Sequence, residues 1–192
     1  MKICVYGASS AKIDKSYIDA GEELGRLMVK RGHSLVFGGG DDGLMGAVSR
    51  GVHEMGGEII GVAPEFFNVD GVLSPYCTKL IRTKTMRERK QTMEDLSDGF
   101  IMTPGGIGTF EEFFEILTLR QLMQTDKPIA VLNTDGYYDC LQEMMENAIS
   151  RKFVIEACLS LYSVHDTPDG VLDFMENYVP ENKNIFDYKI LK

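Results

Sequence analysis

The sequence is poor in the residues that build metal sites and disulfide frameworks. Among its 192 residues are four cysteines and three histidines. Cys4, Cys77, Cys140 and Cys158 form no C-x-x-C pair, and His33, His53 and His165 are scattered along the chain. This spacing argues against a zinc site and against a disulfide-stapled scaffold. Cations are also scarce. Lys and Arg total 20 against 29 Asp and Glu, for a net charge of −9. Binding to a nucleic-acid backbone needs clustered Lys and Arg, so no nucleic-acid partner is expected. A small anionic ligand is still allowed, because a local pocket can oppose the global sign. No apolar run approaches the ~20 residues of a membrane helix. The opening MKICVYGASS reads as a strand and a turn rather than a secretory leader. There is no Pro- or Gly-rich linker and no internal repeat. With 44% hydrophobic and 26% charged residues, the chain reads as one globular domain, 1–192, without a membrane partner. A reducing, cytoplasmic setting follows by default.

What is present is an alternation of short apolar runs and helical patterns. Strands are predicted at 3–6, 34–37, 58–62, 78–81, 100–102, 128–132 and 159–164. Helices are predicted at 14–31, 43–55, 84–97, 109–123, 137–151 and 169–178. Gly32 follows the first helix as a C-terminal stop. Strict alternation implies an α/β, Rossmann-like three-layer fold: a parallel sheet with helices on both faces. The least regular stretch, 64–76, is expected to be a loop near the ligand. In such sheets ligands sit beyond the carboxyl ends of the strands.

Three strand ends carry small residues. Gly7-Ala8-Ser9-Ser10 can hold a phosphate or ribose, or can be a plain turn. Gly38, Gly40 and Gly43 satisfy G-x-G-x-x-G, and Glu58 follows twenty residues beyond Gly38. A dinucleotide reading is nonetheless disfavoured. The match sits on the second strand, Glu58 begins its strand rather than closing it, and Asp41 and Asp42 would face a pyrophosphate with negative charge. The third strand end is Thr103-Pro104-Gly105-Gly106-Ile107-Gly108-Thr109, which opens a helix. Free N–H groups at a helix N-terminus, with glycines that admit an anion, make a phosphate site. Thr109 is expected to cap that helix and donate to the same anion.

The charges behind these turns are informative. At about 100° per residue, Phe110, Phe113, Phe114 and Leu117 share a packed face, while Glu111, Glu115 and Thr118 line a second. Glu112 falls between that second face and Ile116. Acids in a first turn favour the helix dipole, but that explains one glutamate better than a cluster beside a phosphate loop. In Met86-Arg87-Glu88-Arg89-Lys90, Arg89 and Lys90 fall on the face carrying Met86, Met93 and Leu96. Two cations on an apolar face are costly unless they meet an anion. Arg87 and Glu88 point elsewhere and read as a solvated charge pair.

These residues resemble the Lonely Guy (LOG) family of cytokinin riboside 5'-monophosphate phosphoribohydrolases, often mislabelled as lysine decarboxylases. Pro104 through Glu112 is similar to the family's P-G-G-x-G-T-x-x-E. Met86 with Arg89-Lys90 resembles M-H-x-R-K, and Gly38 through Gly46 resembles G-G-G-x-x-G-L-M-G. Ser9-Ser10 resembles its N-terminal serine turn. The similarity runs over 2–149. It departs at Arg87, where the family often has His, and over 68–77. The resemblance implies hydrolysis of the N-glycosidic bond of a purine nucleoside 5'-monophosphate, with adenine or N6-substituted adenine as the base. It implies a homodimer, no metal and no cofactor. It implies Arg89 and Glu112 as catalytic residues. Substrate-binding positions are Ser9, Gly39, Gly40, Gly43, Met86, Lys90, Gly105, Gly106, Ile107, Gly108, Thr109, Glu111 and Thr118. The residue types suit the chemistry. Glycosidic cleavage develops positive charge on the ribose, which a carboxylate stabilises while orienting water, and an arginine fixes the nucleotide. Pyridoxal-dependent decarboxylation would need a marked lysine, and none stands apart from the arginine pair. The competing class is a nucleotide- or molybdenum-cofactor-binding carrier, which shares such glycine loops but has no use for Glu112 beside a glycosidic carbon.

Overall fold

In the computed structural model, which describes residues 1–67, 73–180 and 184–188, seven parallel strands form one sheet. The strands are β1 (Lys2–Tyr6), β2 (Ser34–Phe37), β3 (Ile59–Pro64), β4 (Lys79–Thr83), β5 (Gly99–Met102), β6 (Ile129–Leu132) and β7 (Ser163–His165). Their order is β4-β3-β2-β1-β5-β6-β7. The helices are α1 (Lys15–Lys30), α2 (Gly43–Glu54), α3 (Met86–Leu96), α4 (Ile107–Gln121), α5 (Asp139–Ser150) and α6 (Pro168–Asn177).

The three layers follow from the two-residue period of the strands. Along β1, Cys4 and Tyr6 enter one core, and Ile3 and Val5 enter the other. Phe100 and Met102 oppose Ile101 in the same way on β5. A strand buried on both faces must be apolar at every position, as these runs are. The first core is closed by Met93 of α3, Phe113 and Leu117 of α4 and Met145 of α5. The second is closed by Leu24 of α1, Val52 of α2 and Leu172 of α6. α1 ends as predicted: Gly32 N donates to Val29 O and His33 N to Met28 O, the paired bonds that satisfy a helix's last carbonyls.

The strand order reverses at β1 and β5, and a crevice opens outside their carboxyl ends. Two expectations are corrected. Alternation is not strict: among the described residues, β3 reaches β4 with only the short helical turn Glu65–Phe67 between them. β4 is a sheet edge whose Lys79, Leu80 and Arg82 are exposed, so this edge is covered less. The strand expected over 159–164 begins only at Ser163. The residues before it form the 3₁₀ segment Glu156–Leu161, which buries Cys158 and Leu161. Their spacing of three matches that helix's period.

Candidate active site

Three strand ends meet at Ala8. Its N–H donates to the Pro104 carbonyl at 3.1 Å, and its carbonyl accepts from Met45 N at 3.2 Å. Gly43 sits at φ +62°, and a Cβ there would stand 2.5 Å from the Ala8 oxygen. Glycine at this position lets the β1 and β2 turns interlock. Leu73 forms an isolated bridge with Gly40, while Gly39 accepts from Ser74 N at 2.8 Å.

Two adjoining clefts of about 320 and 310 Å³ open over these turns and share Ser9, Met45, Phe67 and Arg89 as walls. The first adds Gly38, Gly40, Asp41, Asp42 and Leu73. The second adds Met86, Gly106, Ile107, Gly108, Thr109, Glu111 and Glu112. α4 opens on Gly106 with no side-chain cap, and its first helical bond runs from Phe110 N to Gly106 O. The N–H groups before that bond have no partner within the helix. A Cβ on Gly106 or Gly108 would meet nothing within 4 Å, so the space above these amides is open.

Arg89 and Glu112 lie where the clefts join. Arg89 is 6% exposed and Glu112 9%. The guanidinium Nη1 donates to Glu112 Oε1 at 2.8 Å, and Nε donates to the Val62 carbonyl at the end of β3 at 3.1 Å. Gly38 completes the seat, because a Cβ there would stand 2.0 Å from Arg89 Nη2. Burial raises the Glu112 pKa, and the Arg89 charge beside it offsets part of the rise. Burial also pushes the Tyr6 and Cys4 groups up, and the Glu112 charge pushes them further. Both stay neutral. Lys90 donates to Glu111 and lies 2.8 Å from Glu115. Both cations of α3 therefore meet carboxylates of α4.

Most predicted residues converge on the clefts: Ser9, Gly40, Met86, Arg89, Gly106, Ile107, Gly108, Thr109, Glu111 and Glu112. Others stand behind them. Gly39 and Gly43 shape the turn, and Lys90 is taken up by its glutamates. Gly105 lines a third cleft of about 190 Å³. Thr118 is exposed, about 16 Å along the axis of α4 from Ile107, and its hydroxyl donates to Phe114 O at 2.7 Å. Thr109 does not cap the helix. α4 begins two residues earlier, and Thr109 is buried in its first turn, with Oγ1 packed against Gly105. Two wheel assignments also shift: Met86 and Phe110 are exposed, at 40% and 38%. Sequence reasoning missed Met45, Phe67 and Leu73 as walls, since no period links them. The loop expected at 64–76 contributes Phe67 and Leu73, while 68–72, the first part of the divergent 68–77 segment, lie outside the described residues. Glu58 is exposed just before β3, at the end of the sheet away from the clefts, which removes it as a ribose ligand.

Residues 45–175 match a family model described as "Possible lysine decarboxylase". Cytokinin riboside 5'-monophosphate phosphoribohydrolase LOG of Oryza sativa subsp. japonica is 39% identical over 180 residues, spanning 94% of this chain and 74% of that one. The probable cytokinin riboside 5'-monophosphate phosphoribohydrolase LOG6 of Arabidopsis thaliana is 38% identical, spanning 94% and 90%. Among solved structures, the molybdenum cofactor carrier protein of Chlamydomonas reinhardtii superposes with a TM-score of 0.69 at 24% identity, covering 92% of this chain and 97% of that one. The molybdenum cofactor binding protein of Rippkaea orientalis gives 0.69 at 20% identity, covering 91% and 93%. At that identity the likeness shows the fold alone. The curated relatives share over a third of the residues across 94% of this chain, and the chain belongs to their family, the LOG phosphoribohydrolases.

Proposed function

We propose that this protein hydrolyses the N-glycosidic bond of purine nucleoside 5'-monophosphates carrying adenine or an N6-substituted adenine. The products are the free base and ribose 5-phosphate. The observation that carries the reading is the buried Arg89–Glu112 pair in a cleft whose adjoining wall is the glycine-rich N-terminus of α4. The open amides of Gly106 to Thr109 receive the 5'-phosphate. The ribose then lies over Arg89 and Glu112, and the base extends toward Met45, Phe67 and Leu73 in the neighbouring cleft. As the bond from C1' to the base nitrogen breaks, positive charge grows on the sugar. The Glu112 carboxylate stabilises it and orients the water whose oxygen bonds to C1'. The water's proton leaves with the base. The chain's own groups serve every step, so no metal or cofactor is assigned.

The lysine nearest this chemistry does not suit the decarboxylase label. Burial alone would lower the Lys90 pKa, but Glu111 and Glu115 outweigh burial and raise it. A Schiff-base lysine needs the opposite shift. The working protein is assigned as a cytoplasmic homodimer acting on a small nucleotide, with no nucleic-acid or membrane partner. Among the described residues no helix is long and apolar enough to cross a membrane. The decisive experiment incubates the purified protein with AMP, its N6-isopentenyl derivative and adenosine and separates released base by chromatography. Release from the monophosphates and poor release from adenosine are expected. Equal rates on AMP and adenosine would remove the phosphate site, and binding of AMP without release of base would favour the carrier class.

A further inference from the structure

The segment that opens α4 has each of its carbonyls engaged by a donor. Tyr138 Oη donates to Thr103 O at 2.8 Å, Ala8 N to Pro104 O at 3.1 Å, Tyr137 Oη to Gly105 O at 2.7 Å and Phe110 N to Gly106 O at 3.0 Å. A trans peptide is planar, with its C=O and N–H pointing opposite ways. Fixing the Gly105 carbonyl therefore fixes the direction of the Gly106 N–H. Tyr137 lines the third cleft together with Gly105, whereas Gly106 also lines the cleft that holds Glu112. The carbonyl is thus drawn toward Tyr137, and the N–H is left facing the catalytic side. A glycine N-cap cannot set this orientation itself. Gly106 has no side chain to cap with, and both peptide neighbours are free to rotate. The constraint must come from outside the loop.

Tyr137 is well placed to supply it. A left-handed turn at Asp135 (φ 55°) and Gly136 (φ 69°) delivers the two tyrosines after β6. The Tyr137 ring packs edge-on against Tyr17, with centroids 6.0 Å apart, and against Tyr138 at 4.9 Å. Asn133 Oδ1 accepts from Tyr138 N at 2.6 Å, which anchors the pair. The ring contacts and the bond to Gly105 O together hold the hydroxyl over the loop.

We propose that Tyr137 is a positioning residue of the phosphate site: its hydroxyl pins the Gly105–Gly106 peptide so that the Gly106 N–H faces the anion. The hydroxyl also covers a carbonyl oxygen that would otherwise repel a phosphate if it turned inward. This inference rests on the reading that a 5'-phosphate binds at the start of α4. It gives the third cleft a role in setting substrate class from behind the loop.

The test is Tyr137→Phe, which removes one hydroxyl from a ring that is 41% exposed and keeps the packing. Base release is measured on AMP and adenosine, with inorganic phosphate as a competitive probe. Loss of one hydrogen bond that orders the loop should lower kcat/KM for AMP by about tenfold. The rate on adenosine should hold, and the inhibition constant for phosphate should rise by about the same factor. Thermal stability should stay close to wild type. An AMP-to-adenosine ratio and a phosphate affinity unchanged in the variant overturn the inference alone. Equal losses on both substrates also overturn it, since they mark a merely structural role. A wild-type protein without any preference for AMP overturns this inference and the phosphate site together.

Discussion

Arg89 and Glu112 are both buried, and each is the other's counter-charge. A buried carboxylate without a partner would take up a proton. The guanidinium opposes this, and Val62 O and the space over Gly38 hold it in place. The sequence alone placed Arg89 on an inward face that required an anion; the resting anion is Glu112 itself. Glu112 therefore has a positive partner before substrate arrives. Since burial raises the Glu112 pKa above its ordinary 4.5, the active carboxylate form is lost on acidification at a higher pH than for an exposed glutamate. The rate should fall along an acid limb whose midpoint lies above 4.5. The linkage to stability has the opposite sense. With the folded value above the unfolded one, this group's contribution to stability is full below pH 4.5 and is lost as pH rises through the folded value. Glu112→Gln keeps shape and hydrogen bonding but removes the charge. It should lower kcat by on the order of 100-fold or more while AMP still binds, and the acid limb should vanish from what remains. Wild-type release of base by a folded Glu112→Gln protein would refute the assignment. Tyr137 shows what single residues hide in sequence. It sits 32 positions from Gly105, with no spacing rule to connect them, and only the return of β6 beside β5 brings it to the loop.

At the scale of elements, α3 and α4 form the working unit. Arg89 and Lys90 project from α3 to Glu112, Glu111 and Glu115 on α4. The predicted face of α4 with Glu111 and Glu115 is thus the face that meets Lys90. Removing Lys90 leaves two acids near the anion-binding end of the helix without their counter-charge. Lys90→Ala should raise KM for AMP about fivefold, the effect of about 1 kcal/mol from partly exposed charges, with kcat within about twofold. Steady-state kinetics on AMP checks it; a loss confined to kcat would place Lys90 in the chemistry instead. Much of this organisation is legible in the sequence because apolar periods of 2 and 3.6 are forced by burial. The parallel sheet, the strand-end turns and the inward-facing cations of α3 follow from that; their pairing with the acids of α4 does not, because no period links the two helices. The 3₁₀ segment before β7 does not, because Cys158 and Leu161 repeat at three, a spacing that an apolar run such as 159–164 does not separate from a strand. Nor does the start of α4. Thr109 resembles a cap by type, but the open glycines let the helix begin at Ile107.

At the scale of the whole molecule, the charge of −9 sets two copies of this chain against each other, so any stable association must rest on apolar contact. The exposed apolar side chains near the clefts are Phe67, Met86, Ile107 and Phe110, with Ile107 at 86% exposure. Ile107 and Phe110 lie at the start of α4. Covering such residues removes apolar surface from water, the main driving force for association. It would also enclose the phosphate end of the cleft, where water weakens every electrostatic contact. A competing surface exists on the far side of the sequence, at Met144 and Phe153, the latter 81% exposed. Single charged substitutions separate the two. Phe110→Glu should shift the protein toward a species of 21.5 kDa in sedimentation and lower base release from AMP in parallel. Phe153→Glu should leave both the larger mass and the rate unchanged. Higher salt should strengthen the dimer by screening the like charges. A wild-type mass of 21.5 kDa that holds at every concentration would refute the dimer. Dissociation by Phe153→Glu and not by Phe110→Glu would move the interface from α4 to the end of α5, leaving the cleft open to solvent in the assembled protein.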